Sequence, residues 1–96
     1  MKRSRLQALE KILEYELVLM WNKDCYDEAV TCHAWIPYEL SNVSIGDVPI
    51  VRFTLFLESG QSQESLECSN VFMKEVKDRI KEIMSVLDKP FLKTQK

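Results

Sequence analysis

The chain has 96 residues, of which 46% are hydrophobic and 29% charged, and its net charge is −2. This length predicts one domain with one modest core. Only two glycines and three prolines occur, which argues against disorder and against a loop-rich β fold. The longest apolar run, residues 17–21, is too short to span a bilayer.

The first predicted element is a helix over residues 4–20, with Ser4 as its cap. Its main apolar stripe recurs at spacings of three and four and consists of Leu6, Leu9, Leu13, Leu17 and Met20. A second stripe lies beside it and consists of Ala8, Ile12, Tyr15 and Leu19. A competing interpretation ends the helix near Leu13 and makes residues 16–21 a strand, but the unbroken stripe favours the helix.

Three strands are predicted in the middle of the chain. A turn at residues 22–24 precedes a strand over 29–36, and a loop follows at 41–47. Residues 50–58 form the strongest strand, because Val51, Phe53, Leu55 and Leu57 share one face while Arg52, Thr54, Phe56 and Glu58 share the other. After a turn at 59–62, residues 64–68 predict a short returning strand.

A second helix is predicted to start at a Ser69 or Asn70 cap and to end at residues 88–90. Its expected buried stripe consists of Phe72, Val76, Ile80, Ile83 and Leu87. The predicted order is therefore α-β-β-β-α. We expect a single α+β domain over residues 1–96, with two amphipathic helices packed on a small antiparallel sheet.

Charge is distributed unevenly along the chain. Residues 1–11 carry +3, residues 12–69 carry −8 and residues 70–96 carry +3. These charges are either ordinary solvated faces, with favourable helix pairs Lys74–Asp78 and Glu75–Arg79, or an acidic middle that faces a basic partner. In the second interpretation the acidic field raises the association rate and rejects acidic competitors.

The sequence contains three cysteines, Cys25, Cys32 and Cys68. Acidic residues from Glu10 onwards interrupt what would be the apolar region of a signal peptide. We therefore expect free thiols in a reducing, cytoplasmic compartment.

No motif predicts a metal, a cofactor or a catalytic site. Cys32 and His33 are adjacent on a predicted strand and so point to opposite faces, and no Cys-x-x-Cys pair is present. Glycines at 46 and 60 alone do not build a phosphate-binding loop. The sequence therefore predicts neither enzymatic activity nor a bound cofactor.

The function that remains is binding to another protein. Candidate contact residues are carboxylates of the acidic middle and two aromatic residues at a strand end: Asp24, Asp27, Glu28, Trp35, Tyr38, Glu39 and Asp47. The expected role is that of an inhibitor, an immunity- or antitoxin-type protein, a phage-encoded antagonist or an assembly subunit. A homodimer and a hetero-complex are both compatible with the wide apolar faces.

The alternative is a nucleic-acid-binding domain that uses basic helices. The order α-β-β-β-α is also that of double-stranded-RNA-binding domains. Against this alternative, the predicted start of the second helix, residues 68–72, carries no charge. A membrane partner is not expected.

Overall fold

A computed structural model describes residues 3–45 and 48–88. The helices are α1 (Arg3–Asp24) and α2 (Asn70–Asp88). The strands are β1 (Ala29–Trp35), β2 (Ser44–Ile45), β3 (Val48–Pro49), β4 (Arg52–Leu57) and β5 (Ser62–Glu64). Two short 3-10 helices lie at Tyr38–Leu40 and Ser65–Glu67.

The main sheet is antiparallel and has the strand order β1-β4-β5. In its register Thr54 of β4 lies between His33 of β1 and Glu64 of β5. β2 and β3 form a separate two-stranded hairpin. The predicted order of two helices around a three-stranded antiparallel sheet is confirmed, with this hairpin as an addition.

One face of the sheet and both helices share a hydrophobic core. Its buried residues come from α1, β1, β3, β4 and α2 and include Leu9, Leu13, Leu17, Ala34, Val48, Phe53, Leu55, Val76, Ile80 and Ile83. On the opposite face Phe56 is 45% exposed. The predicted facing of β4 is therefore confirmed. Of the expected core residues, Val51 is only partly buried.

The two helices run antiparallel, as three contacts between them show. Arg5 Nη1 lies 2.8 Å from the Asp88 carboxylate, near the start of α1 and the end of α2. Arg79 and Glu16 form an ion pair at 3.1 Å near the middle. At the other end, the rings of Trp21 and Phe72 meet edge to face with centroids 5.7 Å apart.

The first helix is longer than predicted. The strand alternative for residues 16–21 is wrong, and so is the turn at 22–24, because the helix continues to Asp24. Ser4 lies inside the helix and does not cap it. The chain reverses at residues 25–28 instead, where the Asn22 side chain bonds both the backbone N–H and the C=O of Ala29.

The second half of the chain departs from the prediction at two points. The segment 41–47, expected to be a loop, contains β2. The returning strand is Ser62–Glu64, and it stops there because the next three residues form a 3-10 helix with reciprocal capping bonds between Glu64 and Glu67. The Ser69 cap is confirmed, since its hydroxyl accepts a 3.1 Å bond from the Phe72 N–H.

Candidate protein-binding surface

The outer edge of β1 is occupied by side chains of α1. The Glu14 carboxylate accepts a 2.9 Å bond from the Ala34 N–H, and the Glu10 carboxylate accepts a 3.0 Å bond from the Ile36 N–H. Glu10 and Glu14 are four residues apart on the helix, and Ala34 and Ile36 are two residues apart along the strand. Both spacings correspond to about 6 Å, so each carboxylate lies opposite an N–H group. Val18 occupies the next step of the helix and has no oxygen in its side chain with which to accept a bond.

The outer edge of β5 is also occupied. The Glu64 N–H donates to the Glu67 carboxylate at 3.3 Å, and the Cys68 thiol donates to the Glu64 carbonyl at 3.5 Å. A strand edge recruits another strand through unpaired backbone groups. Because the backbone N–H groups of Ala34, Ile36 and Glu64 already have partners, a binding partner would meet the face of the sheet rather than add a strand to it.

The face of the sheet that the helices leave uncovered is called the open face here. Alternate residues of the three strands lie on it, and among them Thr54 is buried. They are Thr31, His33, Trp35, Arg52, Thr54, Phe56, Ser62 and Glu64. The His33 and Trp35 rings are stacked, with centroids 5.1 Å apart and planes inclined by 20°. His33 Nδ1 also lies 3.2 Å from the Glu14 carboxylate, which fixes the imidazole over the strand. The open face therefore carries an ordered pair of rings beside the half-exposed Phe56.

The cysteines lie away from the open face. Cys32 pairs in register with Leu55 and so points towards the core, opposite His33. Burial, and to a smaller extent the charge on Glu14, raises the pKa of the Cys32 thiol to about 12. Burial also raises the pKa of Cys25 and of Cys68. Within residues 3–45 and 48–88, no group of three or more metal-ligating side chains is assembled.

One group of predicted contact residues lies where β1 begins. Asp24 ends α1 and is exposed, and so is Glu28. The Glu28 carbonyl accepts a 2.8 Å bond from the Glu58 N–H, which brings a third carboxylate to this end. Asp27 has a structural part, because its carboxylate accepts a 3.1 Å bond from the Ser59 N–H and its carbonyl accepts a 2.9 Å bond from the Trp21 indole.

The other predicted contact residues lie where β1 ends. Trp35 is the last residue of β1, and Tyr38 and Glu39 follow in the 3-10 helix. Tyr38 is 85% exposed. The six steps of β1 separate the two groups by about 20 Å. Asp47 lies outside the described residues.

Phe56, His33 and Glu58 belong to this surface and were not among the predicted contact residues. Phe56 had a signal in the sequence, because it is the large apolar residue on the polar side of an alternating strand. His33 also had a signal, because residues two apart in the predicted strand 29–36 share a face, which places His33 beside Trp35. Glu58 depends on pairing between β1 and β4 across the sheet.

The charge of the helices differs from what the segment totals suggest. α1 contains four basic and four acidic residues, and so does α2. Both helices are therefore neutral as wholes. At the carboxyl end the excess of +3 comes from residues 89–96, which lie outside the described part, whereas at the amino end residues 3–11 of α1 carry +2 and the acidic residues later in α1 balance it.

Comparisons of the chain with models of protein families, with curated proteins and with solved structures gave no match. Neither described helix combines the length and the apolar character that crossing a membrane requires.

Proposed function

We propose that this chain is a non-enzymatic protein-binding module whose open face receives a protein with a basic surface. The observation that carries the proposal is the open face itself, where an ordered His33–Trp35 stack and the 45% exposed Phe56 stand uncovered. Aromatic residues held in place give large contact area at low entropic cost and are frequent anchors of interfaces.

Charge supports a basic partner. Glu28 and Glu58 lie at one end of the open face and Glu39 near the other, and none of the three has an ion pair among the described residues. Other carboxylates of the acidic middle form ion pairs within the chain, as Glu16 does with Arg79. Free carboxylates around an aromatic centre steer a cationic surface to it and repel acidic competitors.

An inhibitor, an immunity- or antitoxin-type protein, a phage-encoded antagonist and an assembly subunit are the roles that this proposal covers. A cytoplasmic location belongs to the same proposal, since free cysteines such as Cys25, Cys32 and Cys68 persist in a reducing compartment. Binding to nucleic acid is the competing function. Its strongest feature is the row Lys74, Lys77 and Lys81 on α2, of which Lys74 is paired with Asp78 at 3.3 Å.

Site-specific photo-crosslinking in the cell of origin tests the proposal. A benzophenone side chain replaces Phe56 on the open face, and the matched control carries it at Tyr15, which is 68% exposed on α1. We expect Phe56 to crosslink to one protein with a basic surface and Tyr15 not to do so. Charge reversal by Glu28→Lys and Glu58→Lys should reduce the Phe56 crosslink, because these charges steer the partner to the open face.

Two outcomes would contradict the proposal. One is equal crosslinking from Tyr15 and Phe56, which would mean that the open face has no preference. The other is salt-dependent binding to duplex nucleic acid that is lost when Lys74, Lys77 and Lys81 are neutralised. The second outcome would make α2 the binding element.

A further inference from the structure

A cavity of about 300 Å³ lies at the end of the molecule where α1 stops and α2 starts. Its walls include Trp21 and Phe72, whose rings meet edge to face, together with Cys25, Cys68 and Val71. These walls are apolar and come from the end of α1, the segment after β5 and the first turn of α2. The cavity therefore offers a preformed apolar lining.

Every charged residue that lines this cavity is acidic. Asp24, Glu67 and Glu75 contribute the three carboxylates, and no lysine or arginine of the described chain lines the cavity. The sequence predicted that Arg79 would neutralise Glu75, and this is wrong. Arg79 instead bonds Glu16 at 3.1 Å and Glu82 at 2.7 Å, so Glu75 keeps its charge free at the cavity.

Two helix ends also act on the cavity, with opposite signs. The last carbonyls of α1 carry partial negative charge, while the first N–H groups of α2 carry partial positive charge. Part of the positive charge at the start of α2 is already compensated, because the Ser69 hydroxyl accepts a hydrogen bond from the Phe72 N–H. Three full carboxylate charges outweigh the remaining half-charge, so the cavity favours a cation.

We propose that this cavity receives an arginine or lysine side chain of the basic protein partner. Such side chains bury an apolar stem while the charged head stays in a polar setting. Here the stem would lie against Trp21 and Phe72, and the head would meet Asp24 and Glu75. This inference rests on the proposed function, since it assigns a pocket to the same basic partner.

Titration of the full chain with N-acetyl-arginine amide, followed by amide and indole NMR shifts, tests the inference. We expect saturable shifts at Trp21, Cys25 and Cys68, and none with N-acetyl-citrulline amide, which has the same shape without the charge. The variant Asp24→Asn with Glu75→Gln should weaken binding about fivefold or more, as loss of two partly exposed charge contacts implies.

The matched control, Asp78→Asn with Glu82→Gln, makes the same charge change on α2 outside the cavity and should bind as the parent chain does. Equal binding of citrulline and arginine probes, or equal weakening in both variants, would overturn the inference. If the arginine probe does not bind the cavity but Phe56 crosslinks to a basic protein, only the assignment of the cavity is contradicted. If the arginine probe binds the cavity but Phe56 gives no crosslink to any protein, the proposed function is contradicted instead.

Discussion

The Glu14 carboxylate accepts a 2.9 Å hydrogen bond from the backbone N–H of Ala34, twenty residues further along the chain. Glu14→Ala leaves that N–H without an acceptor, so the free energy of unfolding should fall by about 1–3 kcal/mol. Glu14→Gln keeps an acceptor and should cost less. Urea unfolding measures both, with Glu28→Ala, at an exposed carboxylate, as the control. Equal losses for Glu14→Ala and Glu28→Ala would show that the edge bond contributes nothing.

Phe53 and Phe56 lie on the same strand and face opposite ways, and they make a matched pair. Phe53 is fully buried whereas Phe56 is 45% exposed. Phe53→Ala should therefore destabilise the fold by about 3–5 kcal/mol, and Phe56→Ala by about 1 kcal/mol or less. Thermal and urea unfolding give the two values. A larger loss at Phe56 would reverse the facing of the sheet.

Cys32 should be the least reactive thiol, because burial raises its pKa to about 12 and leaves little thiolate at neutral pH. Alkylation at pH 8, mapped by mass spectrometry, should modify Cys25 roughly ten times faster or more. In the unfolded chain Cys32 loses its proton near its ordinary pKa of 9.0. Stability should therefore fall as pH rises from 9 towards 12. A Cys32→Ala variant that shows the same alkaline loss would contradict this assignment.

Arg79 joins α2 to α1 through two bonds to Glu16, at 3.2 Å from Nε and 3.1 Å from Nη2. A lysine does not reproduce this fork, so Arg79→Lys should lose most of the coupling. A double-mutant cycle with Glu16→Gln should give about 0.5–1 kcal/mol at low salt and less at high salt. If coupling is absent at every salt concentration, the Arg79–Glu16 pair contributes nothing to stability.

Once crosslinking has identified the partner, the acidic and aromatic groups should separate kinetically. Glu28→Lys with Glu58→Lys should lower the association rate, because rim charges mainly steer encounter. Trp35→Ala and Tyr38→Ala should raise the dissociation rate, because an anchor is lost from the bound complex. Surface plasmon resonance at two salt concentrations measures both rates. A charge reversal that changes only dissociation would place these carboxylates inside the interface.

The parts of the fold that follow from local pattern could be predicted from the sequence. The leucine stripe of α1, the alternation of β4 and the Ser69 cap each depend on a few neighbouring residues. The end of α1 was predicted too early, because residues 22–24 look like a turn, whereas the helix continues to Asp24 and the Asn22 side chain bonds Ala29 across the reversal that follows. The partner of Arg79 was mistaken for a similar reason, since Glu16 on the other helix competes with Glu75 on its own.

The candidate surface was predicted only in part. Clustering along the sequence singled out Asp24, Asp27 and Glu28, but a hydrogen bond to Ser59 gives Asp27 a structural role. Trp35 was recognised as an aromatic residue at a strand end, whereas its stacking with His33 needs the strand geometry. The cavity walled by Trp21 and Phe72 forms where two helices that are far apart in the sequence pack together, so no single segment of the sequence indicates it.

The pairing of α1 with the edge of β1 has a consequence for how the protein is made. All of those bonds lie within the first 36 residues, the most distant joining Glu10 to Ile36. Both partners of each bond are synthesised before residues 52–57, so these bonds do not need β4. During synthesis this unit can assemble before β4 has left the ribosome, and the N–H groups of Ala34 and Ile36 would then already be unavailable to other nascent chains.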